Sequence, residues 1–210
     1  MKQATHDSDE IAAGLERIAT FLRMAGWREA EPRGLTHTQA ACLSLLANRG
    51  AARVGVLARA LGVTQASASD TLAALSRKLL VERRPDPEDG RAALIHLTPA
   101  GRRLAAELGR PPAALADAVA TLAPAERAGL HRGLSKMILS LQQAGAIAPQ
   151  RLCLTCRFFR PHVHDDAQKP HHCAFVDAAF GDAALRLDCG DHAEAGPQQK
   201  ASALSAFEPA

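Results

Sequence analysis

The sequence predicts a mainly α-helical protein with one small β-hairpin, followed by a small cysteine-rich C-terminal module. Three observations carry this expectation. Apolar residues recur at three- and four-residue spacing through most of the first two-thirds of the chain, the period of helices that bury one face. Two short β-type runs separated by a Pro/Asp/Gly-rich turn interrupt that pattern once. Finally, Cys153, Cys156, Cys173 and Cys189 form a C-x2-C-x16-C-x15-C set within 37 residues, and the only other cysteine, Cys42, lies far upstream.

The elements follow in order. Ser8 is placed to cap a first helix whose opening acids, Asp9 and Glu10, suit the positive end of the helix dipole. Ile11, Leu15, Ile18 and Leu22 form its apolar stripe, and Gly26 and Pro32-Arg33-Gly34 close the segment. Thr36 caps a second helix that carries Cys42, Leu43 and Leu46 and stops at Asn48-Arg49-Gly50. A short helix over 54–61 ends at Gly62. A longer one follows from Thr64 to about Leu79, with Ala68, Leu72, Leu75 and Leu79 on one face. Residues 80–84 and 93–97 are expected as strands joined by the loop Pro85–Arg91. Thr98 and Pro99 start the next helix, Pro111-Pro112 breaks it, and Pro124 starts the last long helix, with Leu130, Leu134, Ile138 and Leu141, ending near Gly145. The expected organisation is a domain over 1–145, a linker over 146–151, the cysteine module over 152–194 and a disordered Ala/Gln/Ser/Pro-rich tail over 195–210.

At 47% hydrophobic residues the composition excludes whole-chain disorder. The polar start lacks the apolar core of a signal peptide, and no run of about 18 apolar residues is present, so a cytoplasmic protein is expected. The net charge is only +3, but residues 51–103 carry nine Lys/Arg against five Asp/Glu. That is the local basic excess a phosphate-facing surface needs.

Two helices joined by a tight Gly62 turn and followed by a basic hairpin make a winged helix-turn-helix. Leu57, Leu61, Val63, Ala68 and Leu72 would lock the helix pair together. Gln65, Ser67 and Ser69 would then face a DNA major groove, and Arg83, Arg84 and Arg91 on the hairpin would face phosphates or the minor groove. Cys42, inside an apolar helical run, is expected to be core.

The residues Leu35-Thr36 with Gln39, Val56-Leu57-Ala58, Leu61-Gly62-Val63-Thr64, the wing from Glu82 to Arg91 and Leu97-Thr98-Pro99-Ala100-Gly101 resemble the MarR family of regulators. The resemblance runs from about Ile11 to Gln143. It implies a helical homodimer joined through the first and last helices, and a pseudo-palindromic double-stranded DNA operator bound usually as a repressor. The chain departs from the family at Asp70, on the outer face of the recognition helix, where a basic residue is common. An acid there repels phosphate but can accept a hydrogen bond from cytosine.

Cys153, Cys156, Cys173 and Cys189 are a full ligand set for tetrahedral zinc or for an iron–sulfur cluster. A zinc ribbon usually presents two C-x2-C knuckles, and the second is missing here. The spacing resembles that of high-potential iron–sulfur proteins, which implies a cluster. Phe158, Phe159, Phe175 and Phe180, four of the chain's six phenylalanines, would supply its apolar shell. Zinc stays open as the alternative. His162, His164, His171, His172 and His192 are further candidate ligands, with His171 and His172 best placed beside Cys173.

The sequence is therefore read as a DNA-binding transcriptional regulator, not an enzyme, with a cluster or zinc in its C-terminal module and a role in redox or metal sensing. One alternative is a repressor that responds to a small-molecule effector and carries a structural zinc. Another is an iron–sulfur electron carrier or enzyme, although the chain lacks a Gly-rich nucleotide loop and a Ser/His/Asp grouping.

Overall fold

A computed structural model describes residues 2–208, and side chains from residue 6 onward. Contacts divide the chain after Ala116 into two compact units. The first contains α1 (Lys2–Ala30), α2 (His37–Arg49), α3 (Val54–Leu61), α4 (Gln65–Arg77), the antiparallel strands β1 (Val81–Asp86) and β2 (Asp89–Leu97), and α5 (Pro99–Leu108). The boundary falls inside α6 (Ala113–Ala120).

Local chemistry fixes the ends of these elements. Thr36 and Gln39 form a reciprocal capping box at α2, and Thr64 and Thr98 accept the Ser67 and Gly101 amides at α4 and α5. Gly62 ends α3 in the left-handed region, with φ of +66°. The core joins Leu43 and Leu46 of α2, Leu57 of α3, Leu72 and Leu75 of α4, and Ile95 and Leu97 of β2. Cys42 lies fully buried within it, as expected, and burial pushes its thiol up to about 11.

Four boundaries differ from expectation. Ser8 lies within α1 instead of capping it, because the helix already begins at Lys2. The same helix passes through Gly26 to Ala30 before a 3-10 turn, Glu31–Arg33, closes it. Leu79 is not on the buried face of α4, and 74% of its surface is exposed. The Leu79 and Leu80 amides turn back to the Ser76 and Leu75 carbonyls, a helix-ending pattern that puts Leu79 at φ +57°. The strands also extend into the expected loop, leaving only Pro87 and Glu88 as the turn.

The second unit holds α7 (Pro124–Gln143), the short strands β3 (Phe159–Arg160), β4 (His171–Cys173) and β5 (Ala178–Phe180) in one antiparallel sheet, and α8 (Pro197–Phe207). This corrects the expected domain limit at 145: α7 belongs with the cysteine module. Its Leu139 packs with Leu152, Leu154, Phe159, Leu185 and Phe207. Its Arg132 bonds Asp182 at 3.2 Å, and Asp182 in turn bonds the buried His171 at 2.8 Å. The segment between α7 and Cys153 is irregular and lies inside this unit.

The expected disordered tail is also corrected within the described residues. Gly196 and Pro197 start α8, and Phe207 at its end is 1% exposed. The Arg132 guanidinium lies 3.9 Å from the Phe207 ring centre, and the ring also meets Phe159 and His171. One aromatic anchor outweighs the disorder-prone composition of the rest of the segment. Residues 209 and 210 lie outside the described residues.

Candidate functional site

The hairpin β1–β2 is tied to the start of α3 by a clamp that residue patterns did not reveal. Ala52 pairs with Ile95 through two backbone hydrogen bonds, bringing the start of α3 onto β2. The next residue, Arg53, donates from Nε to Asp86 Oδ2 at 2.7 Å and reaches Asp89 at 3.5 Å. Asp86 is buried at the end of β1 and accepts the Glu88 amide at 2.9 Å. That amide and the Arg53 guanidinium hold its carboxyl below the usual value. Asp89 accepts the Arg91 amide at 3.1 Å, which sets the base from which Arg91 projects. The two wing acids therefore shape the hairpin that presents the basic residues. An Asp-x-x-Asp turn thirty-odd residues after an arginine was the available sequence signal, but nothing in it specifies the pairing.

Arg83, Arg84 and Arg91 are all exposed on the hairpin. Arg84 is partly neutralised by Glu82 at 2.6 Å, whereas Arg83 and Arg91 face outward from neighbouring stretches of the wing. On α4, Gln65 and Ser67 are exposed and Ser69 half-buried. The Ser67 hydroxyl lies 2.9 Å from the Thr64 hydroxyl, and Ser69 donates to the Gln65 carbonyl at 2.9 Å. Ser69 thus keeps acceptor capacity while its proton has a local partner. Gln65, with a full amide at the first turn, and the exposed Asp70 are the longer polar groups on that face.

In the second unit the four cysteines line one cavity of about 220 Å³. Phe158, Phe159, Phe175 and Phe180 line it too. Cys153 and Cys156 flank a 3-10 turn, Cys173 ends β4 opposite Phe159, and Cys189 follows on a turn whose amide bonds the Arg151 carbonyl. The Arg186 amide donates to Cys153 Sγ at 3.1 Å. Burial, with the other three thiols nearby, pushes the Cys153 thiol up to about 11. All five cysteines are free. Among the described residues no group of three or more His, Cys, Asp or Glu side chains is arranged to hold a metal ion.

None of the five histidines lines this cavity. His171 is core: its Nδ1 accepts the His162 amide at 3.3 Å and its Nε2 faces Asp182. His164 and His172 bond one another at 3.2 Å, and His172 also reaches Asp177. His192 bonds the Thr155 hydroxyl at 3.0 Å. The expectation that His171 and His172 were well placed as ligands followed from adjacency to Cys173. Alternation along β4 turns His172 to the face opposite Cys173, where it meets His164 and Asp177, while His171 shares the face of Cys173 but is engaged by the His162 amide and Asp182.

A capped helix after a tight glycine turn, flanked by a clamped basic hairpin, defines a winged helix-turn-helix of the DNA-binding kind. Residues 35–93 match the model of the MarR family. Comparison with curated proteins returns no match. Among solved structures, a MarR family protein from Bacillus stearothermophilus superposes with TM-score 0.58 at 22% identity, over 66% of this chain and 97% of that one. MarR from E. coli superposes with TM-score 0.51 at 21% identity, over 60% of this chain and 95% of that one. MepR of S. aureus in a complex with DNA gives TM-score 0.51 at 25% identity, over 63% of this chain and 98% of that one. The fold is that of MarR-type transcriptional regulators, mainly helical with an antiparallel wing. In this structure no helix among the described residues is long and apolar enough to cross a membrane.

Proposed function

We propose that this chain is a cytoplasmic, homodimeric, sequence-specific DNA-binding regulator, acting as a repressor, with a metal cofactor in its C-terminal unit. The clamped wing carries this reading. Arg53, Asp86 and Asp89 fix a hairpin whose exposed arginines stand beside the capped recognition helix, the arrangement phosphates and a groove require. Gln65, Ser67, Ser69 and the departure at Asp70 would read bases, and Arg83, Arg84 and Arg91 would hold the backbone and minor groove. Selection from a random duplex library tests it. An enriched inverted repeat is expected, and no enrichment over the starting pool would overturn the reading.

Dimerisation is supported by the exposed apolar residues of α1, among them Ile11, Ile18, Leu22 and Trp27, and of α7, Leu130, Met137 and Leu141. Stripes of that extent mark partner surfaces, and a two-fold dimer would cover each of them against a second copy. Light scattering at micromolar protein is expected to give twice the chain mass, and a monomer mass would contradict it.

For the cofactor, the donor set is four thiols with an apolar surround, and an amide already points at Cys153 Sγ. Four thiols fit either tetrahedral zinc or an iron–sulfur cluster, and the surround of four phenylalanines favours the cluster. Redox or iron-supply sensing follows from that choice. Iron, sulfide and zinc quantified on anaerobically purified protein distinguish the two.

A further inference from the structure

The inner face of α7 and the walls of the cysteine cavity belong to one small core. On a helix of 3.6 residues per turn, Leu130, Met137 and Leu141 fall on one line and Leu139 falls half a turn away, with Arg132 and Ser135 to either side of it. The first three are exposed, whereas Ser135 and Leu139 are buried. The partners of that buried face are chain neighbours of the cysteines. Leu152 and Leu154 flank Cys153, and Phe159 pairs with Cys173 across β3 and β4. Leu185 adjoins Arg186, which exchanges backbone and sulfur hydrogen bonds with Cys153. On the polar side, Arg132 holds Asp182, which holds His171 on the same short strand as Cys173.

These partners have little structure of their own. The strands are two or three residues long, the 3-10 turns three residues, and no disulfide joins them. Segments of this size need a staple, and the four cysteines sit on the separate turns that a cofactor would tie together. We propose that the cofactor of the four-thiol cavity holds the inner face of α7, so that its loss releases the helix whose outer stripe meets a second copy. This rests on the reading that the four cysteines bind a metal cofactor. It supplies a route by which cofactor state sets dimerisation, and through it operator binding.

The test uses the full chain, purified anaerobically or reconstituted with ferrous iron and sulfide, then stripped with ferricyanide and EDTA. Hydrogen exchange is followed by mass spectrometry on peptides of α2, α4 and α7, alongside light scattering. Stripping is expected to speed exchange in α7 by about tenfold or more, leave α2 and α4 protected, and shift the mass toward monomer. Cys189→Ser is expected to reproduce this without stripping. Equal protection of α7 before and after stripping would overturn the proposal, as would equal acceleration in α2 and α4, which would mark a global effect. A chain that takes up neither iron nor zinc would overturn the cofactor reading itself, and the proposal with it.

Discussion

Asp86→Ala is expected to weaken duplex binding by about tenfold or more while the helical core stays folded. The carboxylate accepts the Glu88 amide and the Arg53 guanidinium at the foot of the wing. Without it, the Glu88 amide loses its acceptor and Arg53 keeps only the longer contact with Asp89. The hairpin tip that carries Arg91 is then ordered only on binding. Ordering costs about 0.5–1.5 kcal/mol for each immobilised side chain, and about 1.4 kcal/mol is tenfold in affinity. The pH dependence has a definite sign. The folded carboxyl titrates below its ordinary value, so its contribution to stability is complete above about pH 4 and is lost as pH falls through the lowered value. The stability gap between the parent and Asp86→Asn should stay flat from neutrality down to about pH 4 and close below it. A variant that binds duplex as tightly as the parent, or the absence of any stability gap between the parent and Asp86→Asn at neutral pH, would remove the clamp from the account.

Gly101→Ala is expected to destabilise the first unit by about 2 kcal/mol, where a helical glycine-to-alanine change ordinarily gains about 1 kcal/mol. Gly101 lies in the first turn of α5, and a Cβ there would overlap the Leu80 carbonyl oxygen and crowd Leu97. That carbonyl cannot simply move, because it accepts the Thr98 amide at 3.1 Å. The overlap is with backbone, so the packing cost outweighs the gain in helix propensity. Gly129 on α7 is the internal control: a Cβ there meets nothing within 4 Å, so Gly129→Ala should hold or raise stability. Urea unfolding of both variants decides. Gly101→Ala as stable as the parent would mean that α5 does not pack this closely against the Leu80 backbone just before β1.

The helix-turn-helix was legible because its ends are chemically marked. Thr36, Thr64 and Thr98 are caps whose hydroxyls satisfy backbone amides, and Gly62 takes a conformation that costs other residues energy. Such signals are local and survive without knowledge of the fold. The features that were missed are long-range or outvoted. Arg53 and Asp86 meet across 33 positions, and no periodicity links them. Leu79 fitted the apolar register of α4, but the helix-ending hydrogen bonds of Leu79 and Leu80 turned it outward. Phe207 anchors α8 against an unremarkable composition, and the Arg132–Asp182–His171 chain places α7 in the second unit despite its continuous helical pattern. The four cysteines were legible as a group by spacing. That they share one cavity with four phenylalanines and no histidine emerged only from the fold.

The most direct test is the salt dependence of affinity for the selected duplex, compared between the parent and Arg91→Ala. Each neutralised phosphate contributes about 0.9 to the slope of log affinity against log salt. The expected result is a steep negative slope for the parent, shallower by about one unit in the variant if Arg91 neutralises one phosphate. A parent whose affinity is insensitive to salt, or a variant with unchanged affinity and slope, would contradict a regulator that grips DNA through this wing.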